Sequence, residues 1–91
     1  MNIGKAIKEI RKRKGISQKD LAGRIGISVN ALCRIENRKT FPWMKHIDMI
    51  CEALEVAQSV LMLFSISDED IPEHKRELFH TLAEPLKDNI L

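Results

Sequence analysis

Apolar residues recur along this chain at helical spacing, and no β-like alternation of any length interrupts them. Ile3, Ile7 and Ile10 fall at i, i+4 and i+7 with Ala6 beside them, which places them on one helix face. Lys5, Lys8, Lys12 and Arg13 lie elsewhere around the same helix, and Gly15 is suited to close it as a left-handed C-terminal residue. Ser17 stands directly before Gln18-Lys19-Asp20-Leu21, where its hydroxyl can accept from the free N–H groups of a new helix. Asp20 then lies near the positive end of the helix dipole. The pattern predicts a second helix from Gln18 to Ile25, with Leu21, Ala22 and Ile25 inward and Gly26 ending it. Ser28 repeats the cap and opens a third helix, Val29 to about Asn37, with Leu32 and Ile35 inward.

Lys39-Thr40-Phe41-Pro42 reads as a loop, and Pro42 suits a helix start because its missing N–H costs nothing there. A fourth helix is predicted from about Trp43 to Leu54, with Ile47, Ile50, Cys51 and Leu54 on one side. A fifth runs from about Ala57 to Phe64, with Val60, Leu61 and Phe64 inward. Ser67-Asp68-Glu69-Asp70-Ile71-Pro72 is an acidic, capping-type junction. Beyond it Leu78, Leu82, Leu86 and Ile90 recur every four residues beside Phe79 and Ala83, the signature of a sixth amphipathic helix. Pro85 lies inside it and is expected to kink or end it, leaving about Glu73 to Glu84 as the firm part. The expectation is an all-α chain: a five-helix unit over residues 1–66 and a C-terminal acidic, amphipathic helical extension over residues 67–91.

A length of 91 residues means one domain with at most a short appendage. The longest apolar run, Val60 to Phe64, is far short of a membrane span, and no signal peptide is expected from Met1-Asn2-Ile3-Gly4. Two cysteines make no disulfide framework, so a cytoplasmic location is expected. The net charge of +2 conceals a strong polarity. Residues 1–40 hold eleven Lys or Arg against three Asp or Glu, a balance of +8, and residues 41–91 hold four against ten, a balance of −6. A solvated charged face explains such a pattern; so does one pole for a polyanion and another for a different partner.

Two short capped helices joined by a tight Gly-containing turn, behind a basic first helix, describe a helix-turn-helix. Residues 3–64 resemble the Cro/lambda-repressor-like (XRE) DNA-binding domain. The resemblance rests on Arg11, Gly15-Ile16-Ser17-Gln18, Leu21-Ala22, Gly26-Ile27-Ser28, Ile35-Glu36-Asn37 and Ala53-Leu54-Glu55-Val56. It implies a five-helix Cro/lambda-repressor-like fold with an additional C-terminal helix, and a bacterial or phage transcriptional regulator. It also implies that Val29, Asn30 and Arg34 read bases. The chemistry agrees, since Asn pairs with adenine, Arg with guanine or a phosphate, and Val can meet a thymine methyl. Val29 packing against the turn is the plainer alternative. Gln18, at the start of the second helix, is a phosphate clamp in the family, and Ser28 combines its capping role with a turn towards DNA. Arg11 and Glu36 match a partly buried structural ion pair that fixes how the third helix is presented.

The family usually has glycine two residues past that Glu, where this chain has Arg38. Asn37 tolerates a left-handed turn better than Arg38, so the helix is expected to end one residue early. Arg38, Lys39 and Thr40 are then candidates for the phosphate backbone, and Trp43 for sugar-phosphate contact or for packing on Phe41. Cys33 reads as an inert thiol and Cys51 as a core residue.

The leucine stripe must be buried somewhere. It can fold back onto the fourth and fifth helices, or pair with a second chain. A homodimer fits the half-site logic of such modules, with Val60, Phe64, Leu78, Phe79, Leu82 and Leu86 as the dimer or partner interface. No cofactor and no metal are expected. The three histidines lack metal-ligand spacing, and no phosphate loop or nucleophile elbow appears, so catalysis is not expected. The sequence therefore reads as a repressor that binds operator double-stranded DNA as a homodimer through residues 29–37. The alternative is an antitoxin-type module that engages a toxin-like partner protein through its C-terminal half and autoregulates its promoter. The control protein of a restriction–modification system is a further variant.

Overall fold

A computed structural model describes all of residues 1–91 and contains helices and turns only. The helices are α1 (Ile3–Arg13), α2 (Gln18–Ile25), α3 (Val29–Glu36), α4 (Met44–Leu54), α5 (Gln58–Ser65) and α6 (Arg76–Ile90). Two short 3₁₀ turns, Asp68–Asp70 and Glu73–Lys75, link α5 to α6. The expected caps form. Ser17 accepts from the Asp20 N–H and Ser28 from the Ala31 N–H, each at 3.0 Å. Asn2 caps α1 in the same way at Lys5.

Helices α1 to α4 end by one shared device. In each, a residue with positive φ follows the helix, and two reverse hydrogen bonds close the last turn. The residues are Gly15 (φ 69°), Gly26 (φ 74°), Arg38 (φ 60°) and Glu55 (φ 57°). After α3 the bonds run from Lys39 N–H to Arg34 C=O (2.8 Å) and from Arg38 N–H to Ile35 C=O (3.2 Å). This corrects the expectation for Asn37, which keeps φ −96°. The helix preserves the turn geometry, and Arg38 takes the left-handed position despite its Cβ.

The core is one cluster drawn from α1 to α5, built on Ile7, Ile10, Leu21, Leu32, Ile50, Leu54 and Leu61. Helix α1 packs between α3 and α5, while α2 packs on α3 and α4. One close approach sets the height of α3. A Cβ at Gly4 would lie 2.2 Å from the Ile35 carbonyl oxygen and 2.9 Å from that of Glu36. Only glycine lets the first turn of α1 abut the last turn of α3.

Helix α6 differs from expectation in two ways. It begins at Arg76, because residues 73–75 form a 3₁₀ turn. It runs through Pro85 to Ile90. The Thr81 carbonyl that loses its partner lies on an exposed turn where water can serve it, and Asn89 Nδ2 donates to the Pro85 carbonyl at 2.6 Å. Of the two fates left open for the leucine stripe, folding back onto α4 and α5 does not occur. Leu78, Leu82, Leu86 and Ile90 remain 59%, 65%, 49% and 41% exposed, while Ala83 and Lys87 are buried.

Candidate nucleic-acid interface

The local sequence builds the interface from the turn outward. Gly26 reverses the chain after α2, Ile27 packs against the core, and Ser28 starts α3 at once. Leu32 and Ile35 are buried and fix the inner face of α3. Val29, Asn30 and Arg34 are consequently exposed, and neither polar side chain among them enters any intrachain hydrogen bond or ion pair. Arg24 on α2 contrasts with Arg34. It is held by Asp20 (2.8 Å) and by the Ala53 carbonyl (3.1 Å). Cys33 is half-buried, and its sulfur accepts from Asn37 Nδ2 at 3.2 Å.

Behind α3 lies a buried charged cluster. Arg11 Nε and Nη2 donate to the two Glu36 carboxylate oxygens at 2.9 and 3.1 Å, and Arg11 Nη1 donates to the Ile16 carbonyl at 2.9 Å. Gln18 Nε2 donates to Glu36 Oε1 at 3.0 Å. The cluster thus ties α1, the turn before α2, the first residue of α2 and the last residue of α3. The bidentate geometry satisfies both charged groups, which offsets part of their desolvation. Gln18 is drawn inward by this bond, which sequence alone did not anticipate. One hydrogen of its amide is engaged, and the second is left for an outside acceptor.

The loop after α3 divides. Lys39 and Thr40 are exposed. Arg38 turns back, donating to the Met1 carbonyl at 3.3 Å and lying 3.5 Å from Glu69. It is tethered to the chain rather than extended towards solvent. Glu69 and Asp70 also receive the Met1 ammonium, at 2.9 and 2.8 Å, and this hydrogen bonding holds both carboxyls below their ordinary range. Trp43 and Phe41 are 77% and 69% exposed. Packing between them, one of the two readings of Trp43, does not occur. Trp43 instead occupies the N-terminal cap position of α4 without a side-chain cap, beside the exposed Met44.

Two interface candidates on α5 pack within the chain. Phe64 is 4% exposed and is flanked by Arg13 (5.4 Å from its ring centre) and Lys87 (5.3 Å). Val60 is partly buried against the core. Both are used within the chain. Of the α6 candidates, Leu78, Leu82 and Leu86 are exposed, while Phe79 is half-buried beside His80. Gly4, Arg13 and Lys87 are structural determinants that periodicity did not reveal. Their main partners lie far away in sequence, and only the Glu9–Arg13 and Glu84–Lys87 spacings offered a local clue. Cys33 and Cys51 are both free, and burial pushes the Cys51 thiol up, with Asp48 adding to the shift. No three His, Cys, Asp or Glu side chains converge as a metal site would require, and no helix is long and apolar enough to cross a membrane.

Residues 7–57 match the helix-turn-helix family model, which covers more than half of the chain and takes in the α2–turn–α3 unit just described. The chain belongs to the Cro/C1-type helix-turn-helix family. Its members are DNA-binding regulators, and the exposed face of α3 occupies the position from which this motif addresses a groove. Antitoxin PezA of Streptococcus pneumoniae serotype 4 is 40% identical to this helix-turn-helix chain over 55 residues, which cover 60% of the chain and 35% of that protein. The chain therefore spans about a third of the length of that relative.

Proposed function

We propose that this chain is a transcription regulator that binds operator DNA with α3 in the major groove and represses from two half-sites as a homodimer. Residues 1–66 supply the DNA-binding part and residues 67–91 an extension, and the protein works in the cytosol. The observation that carries the reading is the pairing of two facts on α3. Asn30 and Arg34 are exposed with no partner in the chain, and the helix bearing them is pinned by the Arg11–Glu36–Gln18 cluster. Side chains left free on a rigid support suit base recognition, because little ordering is needed on binding.

Asn30 reads adenine, Arg34 reads guanine, and Val29 meets a thymine methyl. Ser28, Lys39, Thr40 and Trp43 hold the backbone, together with the first-turn N–H groups of α2 and the second amide hydrogen of Gln18. Arg38 contributes only after leaving Glu69 and Met1, an exchange between exposed groups that costs little. Affinity for a panel of operators with single base changes tests this. Asn30→Ala should cost about 1–3 kcal/mol on the preferred site and relax choice at one base pair. Lys39→Ala should weaken all sequences alike and flatten the salt dependence. A uniform loss for Asn30→Ala would reject the base-reading role.

The antitoxin name of the partial relative supports a second reading, in which the acidic half also engages a partner protein while the basic half binds the protein's own promoter. Co-purification of a stoichiometric partner encoded beside the gene would favour it. Normal operator binding with no partner at native expression would disfavour it.

A further inference from the structure

A groove of about 580 Å³ lies between α1 and α6, lined also by the end of α5 and the turn that follows it. Phe64 and Ile66 are its only apolar residues. Four lysines line it: Lys5, Lys8 and Lys12 from α1, and Lys87 from α6. The first three are spaced i, i+3 and i+7, which stacks them along one side of α1, and like charges at such spacings weaken a helix. The carboxylates of the groove do not relieve them. Glu9 accepts from Arg13 at 3.1 Å, and Asp68 pairs with His80 at 2.6 Å. Glu84 stands 3.8 Å from Lys87 Nζ, beyond hydrogen-bonding distance. None of the four ammonium groups makes a hydrogen bond within the chain. Lys87 is the member that sets this groove apart from an ordinary basic surface. Its side chain is only 9% exposed. The Phe64 ring lies 5.3 Å from its Nζ, and a ring face attracts a cation but offers no lone pair. The three N–H donors of this buried ammonium therefore have no acceptor. No unpartnered polar side-chain atom of the chain is sealed from outside, so the Lys87 ammonium opens outward, and the groove is the space it borders.

We propose that this groove binds a compact anion carrying two or more phosphoryl groups. Charge sets the class of ligand. The four lysines bring four positive charges, and Glu84 is the one carboxylate of the groove not already engaged by another side chain, which leaves three uncompensated. Two phosphoryl groups supply roughly three to four negative charges, where a lone carboxylate or a single phosphate supplies too few. Reach agrees, since Lys5 and Lys12 are about 10.5 Å apart along α1 and suit an anion longer than one phosphate. The polar lining gives a large apolar group little to pack against. Lys87 is the anchor. Folding has already stripped its ammonium of most of its water, so a phosphoryl oxygen gains a charge-assisted bond at little further desolvation cost. Its depth also selects a small ligand over a duplex, whose stiff backbone cannot follow an ammonium so recessed. No lining residue comes from α2, α3 or the loop after α3, so the site stands apart from the proposed DNA face. An occupant would tie α6 to α1 beside the existing Arg13–Asp88 and Lys87–Phe64 contacts.

The test is calorimetric titration of the full chain, without DNA and at fixed ionic strength, with pyrophosphate and separately with adenosine diphosphate. Sulfate serves as the single-anion control. Each diphosphate should bind one per chain and raise the thermal midpoint, and sulfate should bind far more weakly. Lys87→Met keeps an unbranched stem over Phe64 and removes the ammonium; it should bind pyrophosphate at least about tenfold more weakly. Lys5→Gln, at an exposed site where folding is not at stake, should lose affinity severalfold. Lys45→Gln removes the same charge outside the groove and should bind as the wild type does. Equal affinity for the two diphosphates supports the site with the phosphoryl groups as all that is recognised, and tighter binding of adenosine diphosphate supports it with a nucleotide as its occupant. Absence of heat and of any midpoint shift at millimolar pyrophosphate overturns the proposal, as does wild-type affinity in a folded Lys87→Met. Equal losses in Lys5→Gln and Lys45→Gln overturn it too, because they would show attraction to overall charge rather than to a site. A DNA duplex that displaces pyrophosphate from the wild type and binds Lys87→Met more weakly would give the groove to DNA and reject a small ligand.

Discussion

Glu36 sits 1% exposed by its side chain and takes three hydrogen bonds, from two donors of Arg11 and one of Gln18. Removing it leaves a buried guanidinium without its anion. Glu36→Ala is expected to cost about 3–5 kcal/mol in urea unfolding. It should also weaken DNA binding more than that loss of folded protein explains, because α3 loses its support. Retention of wild-type stability would show that the cluster is dispensable. Trp43 is the only tryptophan and is exposed, so its emission reports its own surroundings. Operator binding should quench or blue-shift it, and an unchanged spectrum at saturating DNA would remove Trp43 from the interface. The Arg11–Glu36 pair was legible from its resemblance to the family. The share of Gln18 in it was not, since whether an amide points out or in depends on a carboxylate eighteen residues away.

Periodicity and caps located α1 to α5 to within a residue or so, because serine caps and glycine stops act locally. Two features escaped. Arg38 was expected to avoid the left-handed position that it occupies, since the closing bonds of the turn outweigh the steric cost of its Cβ. The same conformation at Glu55 gives a clean test, because its side chain makes no hydrogen bond or ion pair and only its backbone is engaged, its N–H by the Glu52 carbonyl and its carbonyl by Lys14. Glu55→Gly should raise stability by about 1 kcal/mol, read as a higher denaturation midpoint. A lower midpoint would mean that the turn carries no strain. Gly4→Ala acts in the opposite direction. Its methyl would press on the α3 carbonyls at 2.2 Å, so α1 must shift and the chain should lose roughly 1–3 kcal/mol. An unchanged thermal midpoint would contradict the close approach. The orientation of α6 was illegible for a different reason. Its apolar stripe was plain, but sequence ties such a stripe to burial without saying against what. The contacts of Asp88 with Arg13, 75 positions away, and of Lys87 with Phe64 decided the matter.

Charge organises the molecule as a whole. The +8 of residues 1–40 is carried by α1, α2, α3 and the basic part of the following loop, and the −6 of residues 41–91 by the remainder. The two halves are joined by exposed ion pairs, Arg13–Asp88 and Arg38–Glu69, which contribute little in salt and leave the polarity intact. A polyanion meets one pole, and α6 presents its apolar row on the other half of the chain. In the proposed reading, long-range attraction brings the basic pole to any DNA, and preference for one sequence comes from the partner-free side chains of α3. The most direct measurement is therefore selection of bound duplexes from random DNA with the wild type and with Arg34→Ala in parallel. The wild type should enrich one motif, and Arg34→Ala should lose information at one guanine position while the rest of the motif persists. An identical motif for the two proteins, or none for the wild type, would contradict recognition through α3.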